Sequence, residues 1–144
     1  MANNITSADA IMTLTISDLW GAPITLENWA SDRGWDVGEL EMAETQMSID
    51  GKLNRGWVPR AITQTITFSA ASASIIYLEL LMTSQTQSRS LFTIGGELTL
   101  KSTGRKYTFT DGCLLTGSVA PNGGTVLENR TFSIQWGGVL PAGI

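Results

Sequence analysis

What most constrains this chain is a rhythm of two. Ile62, Ile66 and Phe68 alternate with Thr63, Thr65 and Thr67, which sends aliphatic side chains to one side of a strand and hydroxyls to the other. The same alternation sets Met12, Leu14 and Ile16 against Thr13 and Thr15, and Leu98 and Leu100 against Glu97, Thr99 and Lys101. It also sets Phe132, Ile134 and Trp136 against Thr131, Ser133 and Gln135. Strands with one apolar face pair into antiparallel sheets and bury that face. One stretch departs from the rhythm. Ile75, Ile76, Leu78, Leu80, Leu81 and Met82 are too dense for a half-exposed strand and are spaced for a broad helical stripe, with Ser72 as N-cap and a polar run over 83–90 closing it. The expected fold is mainly β: an antiparallel β-sandwich or distorted barrel, one domain over 1–144, with one flanking α-helix at about 72–84 and long loops.

Several segments take more specific readings. Leu40 and Met42 alternate with Glu39 and Glu41, so 38–44 is expected as a second strand, while 17–37, with Trp20, Trp29 and Trp35, reads as a long irregular segment. Asp50 to Arg60 reads as the tip of a long hairpin carrying Lys52, Arg55, Trp57 and Arg60. Gly95-Gly96 is expected to split 90–102 into two short strands, Ser102 to Gly104 to turn the chain, and 125–139 to form the last strand after an Asn-Gly turn. Cys113, the single cysteine, excludes an internal disulfide and is expected as a buried, inert strand thiol.

The chemistry is defined mostly by what is missing. There is no histidine, so the usual general base, the Ser-His relay and the commonest zinc ligand are absent. Glu39 and Glu41 would share one side of a strand, the arrangement of a solvated edge rather than of a glycosidase acid pair. Asp32, Asp36 and Glu39 do not have the spacing of a calcium loop, and the Gly-rich turns have neither the Lys-Ser/Thr pair nor the following helix of a phosphate loop. No enzyme, cofactor or metal is expected. Nine basic residues against 13 acidic leave a net charge of −4 with no basic patch, which argues against nucleic-acid binding. The opening residues lack the basic start and apolar core of a secretory signal, and no run reaches the roughly 20 apolar residues of a membrane span, so neither export by that route nor a span is expected.

Charged residues make up only 15% of the chain, against roughly 25% in ordinary globular domains, and a surface so poor in long charged side chains suits burial against other copies or partners. The loop tryptophans allow two readings. They could form a sugar-stacking platform in a carbohydrate- or protein-binding module, or they could be anchors packed on the same chain or a neighbouring copy.

The order of elements resembles a known family. A Thr-rich first strand, a long loop, the acidic stretch ELEMAETQMSIDG, a hairpin tip, TQTITF, the helix SIIYLELL with TSQTQSRSLF, and a terminal ENRTFSIQWGGV are together similar to tail tube proteins of contractile-tailed bacteriophages, relatives of type VI secretion and pyocin tube proteins. The resemblance implies a β-sandwich that assembles into hexameric rings stacked as a hollow inner tail tube, the conduit for DNA during ejection. Implied partners are further copies, sheath, tape-measure, terminator and baseplate proteins, with DNA passing without specific binding. The implied location is the virion tail, assembled in the bacterial host cytoplasm. On this expectation Glu39, Glu41, Thr63, Thr65, Thr67, Thr131, Ser133 and Gln135 line the lumen. Trp20, Trp29, Trp35, Lys52, Arg55, Trp57 and Arg60 make contacts between subunits or rings. Other sandwich-based tail parts, a terminator or a baseplate hub component, fit the same texture.

Overall fold

The computed structural model describes residues 10–16, 22–26 and 35–143. Its strands are β1 (Ala10–Thr15), β2 (Ile24–Leu26), β3 (Trp35–Val37), β4 (Ala43–Met47), β5 (Leu53–Trp57), β6 (Ile62–Phe68), β7 (Ile94–Leu100), β8 (Arg105–Gly117), β9 (Arg130–Trp136) and β10 (Gly138–Gly143), with one helix, α1 (Ser74–Ser88). Eight strands form one antiparallel sheet in the order β2-β1-β7-β8-β9-β6-β3, with β10 also on β8, while β4 and β5 pair only with each other. The sheet bends across the 13-residue β8, whose first half pairs with β7 and β10 and whose second half pairs with β9. The halves face each other in sandwich fashion without closing into a barrel.

The alternation of the sequence becomes the inside and outside of this folded sheet. Along β6 burial strictly alternates, Ile62, Gln64, Ile66 and Phe68 inward and the three threonines outward. Trp136, fully buried, packs on Phe109 with ring centroids 5.1 Å apart and donates its indole N–H to Gln64 Oε1 at 3.0 Å. The Gln64 amide in turn approaches Met12 Sδ at 3.5 Å. Since β1 and β6 lie four places apart in the strand order, that contact crosses the core. Gly112 on β8 makes room for the indole: a Cβ there would stand 2.4 Å from two Trp136 ring carbons.

The helix differs from expectation at both ends and on its surface. It starts at Ser74, and the Ser72 hydroxyl accepts the Ser74 N–H at 3.3 Å from just outside the first turn. It runs through the polar stretch to Ser88, where Arg89 takes the left-handed conformation (φ 56°) that ends helices. Within this polar stretch the Thr86 and Ser88 hydroxyls donate back to the Met82 and Ser84 carbonyls, each at 2.9 Å, so the hydroxyls are satisfied by the helix's own backbone. Only Ile75, Leu78 and Leu81 of the apolar stripe are buried, while Ile76 and Leu80 are exposed.

Elsewhere the strand boundaries shift for reasons of pairing. Residues 38–42 are not a strand: the free side of β6 is taken by β3, the Gly38 N–H donates to the Thr63 carbonyl at 2.9 Å, and the chain then leaves the sheet. The segment read as irregular thus supplies two edge strands, β2 and β3, the third edge being β10 on β8. Gly95-Gly96 is a bulge within one strand rather than a break. The expected last strand is two, β9 and β10, preceded by an exposed turn closed by a Gly123–Leu127 bridge. Cys113 is half-buried, not buried, because Leu114 takes the inward position beside it. Trp20 and Trp29 lie outside the described residues. Among the described residues no helix is long and apolar enough to cross a membrane.

The core arrangement makes Gln64 a polar keystone. Gln64→Leu should lower stability by about 1–3 kcal/mol, the cost of leaving the buried indole N–H without an acceptor. Denaturant titration should show a lower midpoint with an unchanged slope.

Candidate functional site

Two surfaces stand apart from the core. The first is the outer face of β6 and β9. Register places Thr63 opposite Gln135, Thr65 opposite Ser133 and Thr67 opposite Thr131, so six residues singled out in the sequence form three cross-strand pairs on one face. Thr65 and Ser133 hydroxyl oxygens are 3.4 Å apart, as are those of Thr67 and Thr131. The rows extend to residues the sequence reading missed, Asp36 opposite Thr65 on β3 and Thr116 opposite Ser133 on β8. No lysine or arginine occupies these paired outward positions. Glu39 and Glu41 are not brought to this face. They sit on the exposed segment after β3, and Glu41 pairs with Arg60 at 3.6 Å beside the base of the β4–β5 hairpin.

The second surface is that hairpin. It is not a long tip over 50–60, because the loop is only 49–51: the Ser48 N–H and hydroxyl both donate to the Lys52 carbonyl at 2.9 Å, and Gly51 adopts the positive φ of 88° that the turn demands. Lys52 thus closes the turn, Arg55 and Trp57 lie on β5, and Arg60 lies beyond it. Pairing sets Ala43, Thr45 and Met47 against Trp57, Arg55 and Leu53, and sets Glu44 and Gln46 against Gly56 and Asn54. One face is therefore largely apolar and the other polar, yet every residue of both strands is exposed, with Trp57 at 75%. An isolated two-stranded hairpin is marginal in water, and a bare apolar face on one marks an interaction surface. Trp35, by contrast, packs half-buried against the core of its own chain.

Helix α1 is fastened to β9 by a buried cation. Arg130, only 4% exposed, donates to Glu79 Oε1 of the helix, to the Ser118 hydroxyl at 3.3 Å and to the Ser118 carbonyl at 2.8 Å, and its guanidinium lies over Phe132 at 5.7 Å. The sequence held a signal for it: Arg130 is in phase with Phe132, Ile134 and Trp136, the inward side of β9. Among the described residues no cluster of His, Cys, Asp or Glu could hold a metal ion.

Comparison with known proteins agrees with this architecture. In solved structures the whole chain superposes on a component of the anti-feeding prophage baseplate (TM-score 0.62, 12% identity, 99% of this chain and 98% of that one). It also superposes on a component of the sheath-tube complex of PVC, an extracellular contractile injection system (0.61, 8%, 98% and 93%), and on one of the anti-feeding prophage tube terminating cap (0.58, 9%, 100% and 94%). At such identities the likeness is one of fold. No curated protein sequence matches the chain. The sequence itself, over residues 3–140, matches the family described as Tail fiber protein gp32. Family and fold agree on a structural part of a phage-like tail, and the chain belongs to the Tail fiber protein gp32 family.

Proposed function

We propose that this protein builds the wall of a tail tube by self-association, with the outer face of β6 and β9 turned to the bore. The observation that carries the reading is that face: hydroxyls and one amide in cross-strand pairs, the Cys113 thiol opposite Gln135, one acid, and no cation at the paired positions. Thr63, Thr65, Thr67, Thr131, Ser133 and Gln135 form the lining, extended by Asp36 and Thr116. Glu41 contributes at the hairpin base instead, through Arg60, and Glu39 lies on the exposed segment before it. Short uncharged side chains supply no cation to neutralise phosphates and release counterions, and six copies at −4 each carry −24, so DNA passes a wall that does not trap it. The exposed hairpin, with Lys52, Arg55 and Trp57, makes the contacts between subunits or rings, assisted by Arg60 at its base. The fold shared with a component of a sheath-tube complex supports this role. A non-enzymatic, structural part follows, with sheath, tape-measure, terminator and baseplate proteins as neighbours in the tail.

A second reading has its own support, because the chain superposes about as well on components of a baseplate and of a tube terminating cap. In it the protein forms a single ring at one end of a tube. Negative-stain microscopy and sedimentation of the purified protein separate the two: stacked rings support the tube wall, rings that never stack support the terminal ring, and a monomer at high concentration overturns both.

The lining makes a sharper expectation. Thr65→Lys and Ser133→Lys should leave folding within about 0.5 kcal/mol, as outward positions do. The assembled variants should retain DNA on a filter at low salt and release it as salt rises. Assembled variants that ignore DNA at every salt concentration would place this face away from the bore.

A further inference from the structure

We infer that the β4–β5 hairpin of one copy lies in a trough along α1 of a second copy. The inference rests on the self-assembly reading and names the surface that receives the hairpin. The trough runs between Glu79, Met82 and Thr86 of the helix and the segment Val119 to Pro121, with a volume of about 570 Å³. It continues, again along Met82 and Thr86, into a second hollow of about 310 Å³ bordered by Leu91, Leu115 and Arg89. Val119, Leu91 and Leu115 are all exposed, Val119 at 81%, so an apolar channel with an acid toward one end and a base at the other lies open beside the helix.

The hairpin fits that channel in chemistry, length and charge order. Its apolar face offers Trp57, Leu53 and Met47, and Arg55 stands in the same row between Trp57 and Leu53. Asp50 sits in the turn. From Arg55 to Asp50 is five residues, no more than about 17 Å of extended chain. From Glu79 to Arg89 is ten residues, about 15 Å at the rise of a helix. Laid along α1 with its turn toward Arg89, the hairpin brings Arg55 to Glu79 and Asp50 to Arg89, while Leu53 falls near Thr83. The Glu79 side chain remains 47% exposed although Arg130 holds one of its oxygens, which leaves it able to meet a second cation. In the reversed orientation Asp50 would face Glu79 and Arg55 would face Arg89, while Lys52, in phase with Asn54 and Gly56, belongs to the hairpin's other face.

Site-directed crosslinking tests this on intact chains carrying Cys113→Ser. One protein carries Leu53→Cys, the other, distinguished by a tag, carries Thr83→Cys, and the mixture is assembled and mildly oxidised. A disulfide-linked heterodimer is expected in high yield, because the two β-carbons must come within bonding range. Charge reversal gives an independent reading: Asp50→Arg and Arg89→Asp should each raise the concentration needed for assembly about three- to fivefold, and the pair together should return it to within about twofold of the unmodified protein. Rings or tubes that form without the heterodimer, or a double variant no better than the singles, overturn the inference and leave self-assembly standing. Failure of the unmodified protein to assemble at all overturns both.

Discussion

The seating of Trp136 is the constraint on which the rest of the structure depends. A buried indole brings a large apolar surface and one donor that needs an acceptor. Here the acceptor is Gln64 on β6, the strand paired with one side of the tryptophan's own β9, while Phe109 and Gly112 lie on β8, paired with the other side. To receive the ring the sheet must keep Gly112 bare, lay Phe109 alongside, and fold so that Met12 closes on the far side of the glutamine. These demands fall on β8, β1 and β6, so satisfying all of them fixes how the two halves of the sheet meet and which faces of those strands point inward. The other side of the sheet is then free of packing duties.

That division explains how much could be read from the sequence. Alternation around Ile62–Phe68 and Thr131–Trp136 revealed the strands, their inward faces and the hydroxyl face, because a period of two is a local property that pairing leaves unchanged. The same pattern at Leu40 and Met42 misled, since alternation states what a strand could bury and not whether a neighbour has room for it. At β6 that place is held by Trp35–Val37, a pairing invisible from residue order. Gln64 and Arg130 were legible in hindsight, as polar residues in phase with buried ones. A pattern search for apolar residues passes over such positions, and their partners, Trp136 and Glu79, lie 72 and 51 residues away.

The helix shows the converse. Its apolar residues were identified correctly as a helical set, but the set is wider than the ground it covers: Ile75, Leu78 and Leu81 serve this chain, whereas Ile76 and Leu80 do not. Surplus hydrophobicity on α1, on the hairpin and around Val119 has a common character. It lies outside the core, at positions where this copy gains nothing from it, and it accompanies a surface poor in charge. Exposed apolar surface of this kind marks places where another molecule can pack.

In an ordinary two-layer sandwich, loops join sheets that could in principle slide or part. Here β8 is a member of both halves, so its backbone crosses the bend without interruption. A pull that tends to separate the halves is borne by peptide bonds and by ladders running on either side of one strand. Local failure on one side immediately disturbs register on the other. Load entering at β2 therefore reaches β3 through successive hydrogen-bonded ladders that meet on one unbroken strand, β8, rather than across a loop.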